Sequence, residues 1–234
     1  MRLRPVHLAF GVHLLEGAIE ICAVPDVERP SADLDVVARR RFPVCRASIT
    51  SVPDRLDFTD SDEANRLIAT DPMALLIGFA LDQQVTVQQA FIGPLRLRER
   101  VGSLDPAELA AADLEPAFRQ KPAIHRFPGK MAERVQQLAA HVRDRYGGDA
   151  ARVWRDASNA DTLRANIAEL PGFGEMKVKA LGSVLAKRFG VASAQGLVPG
   201  HPTLGDVDSA QALADYQTAK RAHKAEWTQM KARP

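Results

Sequence analysis

The stretch Leu170-Pro171-Gly172-Phe173-Gly174 is the strongest indication of the fold in this chain. Pro171 ends a preceding helix, because its ring cannot continue the hydrogen-bond ladder and it restricts the residue before it. Gly172 and Gly174 permit a positive φ and leave no side chain between the backbone and its surroundings. A helix that begins directly after the second glycine exposes its first N–H groups, which favour an anion. The stretch therefore predicts a tight helix–turn–helix connection that binds phosphate through its backbone.

Helical periodicity flanks this turn on both sides. Before it, Leu163, Ile167 and Leu170 fall on one helical face, and either Asn159 or Asp161 is placed to cap that helix. After it, apolar residues repeat at helical spacing with cations between them, namely Val178, Leu181, Leu185, Lys177, Lys179, Lys187 and Arg188. The alternative is a corner between helices whose glycines serve only packing. The proline, the glycine pair and the lysines together favour phosphate binding.

The composition is that of an ordinary globular protein. The chain has 234 residues, 46% of them hydrophobic and 26% charged, which suits one unit or two small lobes. No segment has the length of a transmembrane helix, and charged residues interrupt the N-terminal apolar run, which argues against a secretory signal. Cys22 and Cys45 are too few for a four-cysteine metal or iron–sulfur site, and His125 and His141 have no suitably spaced zinc-binding partners. We therefore expect a cytoplasmic protein with no metal site and no membrane partner.

The formal charge of +2 conceals an asymmetry along the chain. Residues 121–234 contain 18 Lys and Arg against 11 Asp and Glu, whereas residues 1–120 contain 13 against 18. A basic half that carries the glycine turn fits a nucleic-acid-binding surface, because cations that displace phosphate counterions supply most non-specific affinity. A solvated basic surface without a partner is the alternative.

The sequence pattern changes near residue 52. Prolines punctuate residues 1–52, which show no sustained periodicity and are predicted to be a poorly ordered extension or sequence upstream of the true start. Helical pattern begins after Asp60, a candidate cap with Glu63 three residues later. No strand pairs are indicated, so an all-α fold of short helices is predicted.

Local signals place the predicted helices. Residues 71–81 form one, with Pro72 in its first turn, and it stops at Asp82-Gln83-Gln84. Thr86 and Gln89 form a capping-box pair that starts another helix, traced through residue 91. Further helices are predicted over residues 106–112, 129–146, 149–156, 161–170, 175–189 and 208–231.

Three segments, in the same order, resemble those of the helix-hairpin-helix DNA glycosylases. The sequence LDQQVTVQQA at residues 81–90 resembles that superfamily's S-Q-Q-x-S-x-x-x-A helix–turn–helix. The sequence HRFPGKMA at residues 125–132 is similar to its G-F-x-x-x-K-A segment, and residues 170–181 resemble its DNA-binding hairpin. The resemblance covers about residues 56–231 and points to an actinobacterial-type branch of the HhH-GPD base-excision repair proteins without an iron–sulfur cluster.

The resemblance implies a fold, an activity and partners. Residues 53–234 would form two helical lobes with a groove between them and the hairpin at residues 161–189. The activity would be cleavage of the N-glycosidic bond of a flipped base, and the partner would be double-stranded DNA with a damaged or mismatched base. The protein would be a nucleoid-associated monomer. No cofactor is required, although a monovalent cation held by backbone carbonyls under the hairpin is compatible with the resemblance.

The resemblance also implies roles in DNA binding. Gln84 would fill the gap left by the flipped nucleotide, with Gln83 beside it; the alternative is that both glutamines only cap or hydrogen-bond within the turn. The hairpin would hold phosphate through the amides of Gly172, Phe173 and Gly174, while the Phe173 ring packs back between the helices. The candidate phosphate-contacting cations are Lys130, Lys177 and Lys179, with Arg134 also considered on the same helix as Lys130.

The match departs from the family at its catalytic positions. Bifunctional members carry a Schiff-base lysine two residues after the second hairpin glycine, where this chain has Met176. Lys177 lies about 100° further around the helix, so a monofunctional enzyme is predicted. The family aspartate, about 20 residues beyond the hairpin, has no counterpart at residues 194–196. Asp206 is the first candidate to replace it, followed by Asp208 and His201.

Two alternatives to this enzyme stay open. Residues 206–209 also read as the N-cap of the following helix, which would leave Asp206 and Asp208 with a structural role. The missing lysine and the displaced aspartate would then favour a non-catalytic DNA-binding or damage-sensing protein on the same scaffold. A purely structural helical protein is the third and weakest interpretation.

Overall fold

The computed structural model describes residues 52–232, with side chains described as far as Arg221. The predicted extension over residues 1–52, apart from Val52, and both cysteines lie outside these residues. The described part of the chain is all-α, as predicted, with no strand. Its α-helices are α1 (Asp62–Thr70), α2 (Pro72–Leu81), α3 (Val87–Val101), α4 (Pro106–Ala111), α5 (Glu115–Arg119), α6 (Pro128–Tyr146), α7 (Arg152–Arg155), α8 (Ala160–Ala168), α9 (Glu175–Lys187) and α10 (Ala210–Ala232). Two 3₁₀ segments, η1 (Ala192–Leu197) and η2 (Leu204–Asp206), lie between α9 and α10.

Side-chain caps set where the first three helices begin. The Ser61 hydroxyl caps α1, one residue later than the predicted cap at Asp60. The Asp71 carboxylate caps α2 by accepting from two N–H groups of its first turn at 2.8 and 3.2 Å. The Thr86 hydroxyl caps α3 by accepting from the Gln89 N–H at 3.2 Å. The predicted starts of α2 and α3 are therefore confirmed.

Helix α2 lies at the centre of the core, with nine of its ten residues buried. The Phe79 and Phe91 rings meet edge to face with centroids 5.1 Å apart, and Phe58 approaches Phe91 at 4.9 Å. Gly78 makes room for this cluster, because a Cβ there would collide with the Phe91 ring. This packing fixes the C-terminal end of α2, where the candidate site begins.

None of the helices within residues 52–232 meets, by itself, the length and hydropathy that a membrane span requires; α1 and α2 meet them only when combined across a bend of 113°.

The helices pack in two connected groups. α1, α2 and α3 contact one another, α4 and α5 pack against α6, and α6 also contacts α2. Further along the chain, α8, η1 and η2 surround α9, and α10 contacts η2. Two glycines permit the close approach to α9: a Cβ at Gly182 would lie 2.6 Å from Leu197, and one at Gly205 would lie 2.5 Å from the Ser183 carbonyl oxygen. Helix α9 is therefore enclosed along most of its length.

Several predicted boundaries differ from the observed ones. The helix predicted over residues 149–156 is reduced to α7, and α3 continues to Val101, ten residues beyond the predicted segment. Pro94 lies inside α3 without ending it. Asn159, rather than Asp161, caps α8. The sequence analysis missed α5, because a five-residue helix is too short to show a period.

Candidate functional site

The predicted hairpin is present as the turn between α8 and α9. Gly172 is exposed and has φ +84°, so the prediction that this position needs a glycine is confirmed. Gly174 differs: it is the N-cap of α9 with φ −89° and ψ 176°, a conformation open to any residue, so the expected positive φ is wrong there. The Phe173 ring is buried, as predicted, and its N–H donates to the Leu170 carbonyl at 3.0 Å. The Phe173 amide is thus already engaged, which removes it from the predicted phosphate-binding set.

The N-terminal end of α9 offers free hydrogen-bond donors. The N–H groups of Gly174, Glu175 and Met176 have no acceptor among the described residues. No side chain caps this helix, and a Cβ at Gly174 would have no protein atom within 4 Å. Because α9 has 13 residues, its dipole adds positive potential at these donors. The arrangement is suited to an oxyanion held by main-chain groups.

Arg134 of α6 joins this hairpin to a second turn, between α2 and α3. Its guanidinium donates from Nη1 to the Gln83 side-chain oxygen. Its stem lies against the hairpin, since a Cβ built on Gly172 would be 2.7 Å from Arg134 Cδ and 2.8 Å from Nε. Two turns that are distant in sequence therefore lie on one surface, with an arginine between them.

The second turn has a strained backbone. Gln84 has φ +60°, the one positive φ found for a non-glycine residue between residues 52 and 232. Such strain costs about 1–3 kcal/mol and often marks a functional turn. The side chains of Gln83 and Gln84 are exposed. The Gln83 N–H donates to the Leu81 carbonyl within the turn, but its side chain accepts from Arg134 outside it, which counts against the purely local alternative for that side chain.

His125 supports the second turn by a hydrogen bond to its backbone. The ring is buried; its Nδ1 accepts from the Phe127 N–H at 3.0 Å, so Nε2 carries the proton and donates to the Gln83 carbonyl at 3.0 Å. Burial lowers the pKa of His125 below 6.5, so the neutral form prevails at neutral pH. The sequence analysis considered His125 only as a zinc ligand, and its support of the turn depends on tertiary contacts.

Lys177 is a tertiary contact rather than the surface cation that the sequence suggested. Its Nζ donates to the Ala80 carbonyl at 3.0 Å, which ties the first turn of α9 to the C-terminal end of α2. It also lies 5.5 Å from the centroid of the Phe173 ring. Burial lowers the pKa of Lys177 to about 8, and the nearby charge of Asp82 opposes that effect.

The other two predicted cations, Lys130 on α6 and Lys179 on α9, differ in whether another side chain engages them. Lys130 is exposed and has no ion pair among the described residues. Lys179 lies 3.4 Å from the Glu175 carboxylate, which also accepts from Arg164 at 2.7 Å. Arg164 and then Lys179 hold the pKa of Glu175 below its usual value. The one acid in the first turn of α9 is thus neutralised by two cations.

Asp206 has a structural role at the opposite end of α9. Its carboxylate accepts from Lys187 Nζ at 2.7 Å and from the Thr203 N–H at 2.8 Å, forming a capping box for η2. Burial alone would raise the pKa of Asp206, but Lys187 and Thr203 hold it below its usual value. Helix α9 separates Lys187 from Gly174 by about 20 Å, at 1.5 Å per residue. Asp206 therefore has a capping role at η2, far from the hairpin, and its predicted role as the catalytic carboxylate stays a prediction.

The two remaining catalytic candidates are exposed loop residues. His201 Nδ1 lies 3.2 Å from the carbonyl oxygen of its neighbour Pro202. Asp208 is exposed before α10, where the Ser209 hydroxyl accepts from the Ala212 N–H at 3.2 Å. The interpretation of residues 206–209 as the N-cap of the following helix is thus confirmed at Ser209, whereas Asp206 caps η2 instead.

A carboxylate beside the second turn was missed by the sequence analysis. The Asp82 side chain is 16% exposed and lies 3.9 Å from Lys220 Nζ. Its one signal in the sequence is its position as the first charged residue after the apolar run of α2.

Within residues 52–232, no group of three or more His, Cys, Asp or Glu side chains is placed to hold a metal ion. Comparisons of the chain with protein-family models, curated proteins and solved structures returned no match.

Proposed function

We propose that this chain is a DNA N-glycosylase of base-excision repair that hydrolyses the N-glycosidic bond of a flipped base. The observation that carries the proposal is the juxtaposition of the open hairpin and the strained Gln83–Gln84 turn, joined by Arg134. One of these turns offers donors for phosphate and the other offers exposed planar amides. Binding a strand and opening its base stack require these two groups side by side.

The hairpin supports the binding step. A phosphate would accept from the N–H groups of Gly174, Glu175 and Met176, while Lys130 adds a free cation nearby. Such contacts position a duplex without reading its bases, so affinity is expected to fall steeply with salt. A monovalent cation under the turn stays a prediction.

The second turn supports the extrusion step. Removing a nucleotide from the stack costs a few kcal/mol, which an inserted side chain offsets. Gln84 is exposed on a backbone that cannot relax, because His125 and Arg134 hold the adjacent Gln83 on two sides. A rigidly presented amide loses little further entropy when it enters the duplex. This pre-organisation favours Gln84 as the residue that fills the gap.

The proposed scaffold has two lobes, α1–α6 and α7–α10, with the substrate groove between them. Lys177 and Arg134 would connect the two lobes, through the contact of Lys177 with Ala80 and of Arg134 with Gly172. Met176 occupies the position where a Schiff-base lysine would lie, so the proposed enzyme is monofunctional and uses water as the nucleophile.

Incubation of the purified chain with duplexes that carry single lesions tests the proposal. The panel contains uracil, alkylated, oxidised and mismatched bases, and alkali then cleaves any abasic site formed. We expect alkali-dependent strand cleavage for at least one lesion. Borohydride should trap no covalent adduct, and a trapped adduct would contradict the monofunctional assignment.

A second candidate is a damage-sensing protein that binds DNA without chemistry. The commitment of Asp206 to Lys187 and Thr203 favours it, because that carboxylate is not free to act on a sugar. Lesion-selective binding with no abasic product across the whole panel would establish the sensor and exclude the glycosylase.

A further inference from the structure

A groove adjoins the Gln83–Gln84 turn on the side of α10. Its volume is about 350 Å³, near the lower end of the range of about 300–1,000 Å³ for small-molecule sites. Val85 and Val87 supply apolar surface, and Asp82, Gln84 and Lys220 supply polar groups. An apolar wall with a few convergent polar groups suits a planar heterocycle joined to a sugar.

The Asp82 carboxylate in this groove has unused acceptor capacity. Only 16% of the side chain is exposed, yet it receives no hydrogen bond from any described residue. A carboxylate that is mostly shielded from water usually accepts hydrogen bonds from the protein, because desolvation without a partner is costly, whereas the half-buried Asp82 keeps its acceptors for groups outside the protein. Asp206 shows the usual arrangement, with two oxygens engaged by Lys187 and Thr203.

Two ammonium groups lie near the Asp82 carboxylate without donating a hydrogen bond to it. Lys220 Nζ lies 3.9 Å away, beyond hydrogen-bond distance. Lys177 is close enough for the Asp82 charge to offset part of its burial, and its own Nζ donates to Ala80. The arrangement leaves the Asp82 carboxylate next to the turn with its lone pairs open to a ligand or a water.

We propose that Asp82 is a catalytic carboxylate of the glycosylase and that the groove beside it receives the extruded nucleotide. This inference rests on the proposed function and deepens it. Asp82 is two residues before Gln84, so a nucleotide displaced by that glutamine would enter the adjoining groove with its sugar near the carboxylate. The catalytic role predicted for Asp206, whose oxygens accept from Lys187 and Thr203, is thereby assigned to Asp82 at the turn.

The chemistry is a hydrolysis that needs only water. The C1′–N bond breaks, and its electron pair leaves with the base, which takes a proton from solvent. The water oxygen forms the new C1′–O bond, and the proton that it releases passes to the Asp82 carboxylate. Before the attack, the same negative charge stabilises the oxocarbenium-like sugar.

Single-turnover base release from a duplex that the wild-type protein processes tests Asp82 directly. Asp82→Asn preserves shape and removes the charge, and we expect its rate to fall about 100-fold or more, within the range for general acid–base groups. Asp82→Glu should recover part of the rate. Duplex affinity and Tm of both variants should match the wild type. Asp60→Asn is the matched control, because Asp60 is an exposed loop carboxylate before α1.

The outcomes separate the two levels of the proposal. If wild type and Asp82→Asn release base at the same rate, Asp82 is not catalytic, although the glycosylase stands. Loss of turnover in Asp206→Asn, with turnover kept in Asp82→Asn, would return the role to the η2 loop. If the wild type releases no base from any duplex, the proposed glycosylase activity and the catalytic role of Asp82 are both refuted. A 2-aminopurine duplex gives a second readout: Asp82→Asn should keep the fluorescence rise on extrusion, and Gln84→Ala should lose it.

Discussion

The two ends of α9 meet their loops in opposite ways. At the C-terminal end, Lys187, Asp206 and Thr203 satisfy one another in a closed set of hydrogen bonds. At the N-terminal end, the N–H groups of Gly174 and Met176 have no acceptor within residues 52–232. A closed polar set stabilises the fold, whereas an open one is completed only by something outside the protein. The comparison moves the candidate site from the loop that carries the predicted acid to the hairpin.

The largest expected effect comes from Gly172→Ala at the open end. The residue has φ +84°, and an added Cβ would lie 2.7 Å from Arg134 Cδ, so strain and collision act together. We expect a loss of about 1–3 kcal/mol in the free energy of unfolding, and weaker duplex binding because the Arg134 bridge must move. Denaturant unfolding and fluorescence anisotropy measure the two effects. Gly200→Ala is the control, because that glycine has nothing within 4 Å of its Cβ position.

Gly174→Asp should separate stability from binding. A Cβ at this position meets no protein atom, and an N-cap aspartate satisfies the free N–H groups of α9. We expect stability to hold or rise by a few tenths of a kcal/mol, while duplex affinity falls about tenfold, or about 1.4 kcal/mol, because the carboxylate takes the place of phosphate. Equal affinity of the variant and the wild type for duplex would show that phosphate does not lie on these donors.

At the C-terminal end of α9, Asp206→Ala should lower stability without changing DNA binding, the opposite of the result expected for Gly174→Asp. Loss of the cap and the ion pair should cost about 1 kcal/mol of stability, since the pair is partly exposed and screened, with duplex affinity unchanged. Because the folded-state pKa of Asp206 lies below its usual 3.8, its contribution is present above that value and is lost as the pH falls through the folded-state pKa. The stability difference between wild type and variant should therefore shrink on acidification. A constant difference down to pH 2 would contradict the assignment.

The smallest expected effect is a pH dependence of binding through Lys177. Lys177 donates to Ala80 and not to a ligand, but its positive charge in the first turn of α9 adds to the potential at the free N–H groups. Because its pKa is about 8, duplex affinity should decline by a few-fold as the pH rises from 7 to 9.5. Lys177→Gln should remove this decline. Lys130→Gln should lower affinity at every pH and keep the decline, because Lys130 is an exposed lysine. A decline that persists in Lys177→Gln would assign it to another group.

Local signals predicted the parts of the fold that depend on neighbours in sequence. The place of Pro72 in the first turn of α2, the cap at Thr86 and the positive φ of Gly172 follow from residue types within one turn. The ion pair of Lys187 with Asp206 and the bridge from Arg134 to Gln83 depend on how separate helices pack. No spacing in the sequence encodes those contacts.

The same limit applies to the choice of a catalytic acid. The family resemblance directed attention to a carboxylate beyond the hairpin in sequence, and Asp206 was the first one available. The fold places it beside the last residue of α9, where it caps η2. Asp82 lies far before the hairpin in sequence. In the fold it lies near the first turn of α9, because Lys177 of that turn contacts Ala80, two residues before Asp82. Proximity in the fold, rather than spacing along the chain, identifies the better candidate.

Amide chemical-shift mapping of the full chain with an unmodified duplex tests the central claim most directly. The account predicts the largest shifts at Gly174, Glu175 and Met176, smaller ones at Gln83 and Gln84, and none at residues 200–208. These shifts should weaken together as salt is added. Shifts centred on residues 200–208, with unchanged amides at the start of α9, would contradict the claim that open main-chain donors bind the strand.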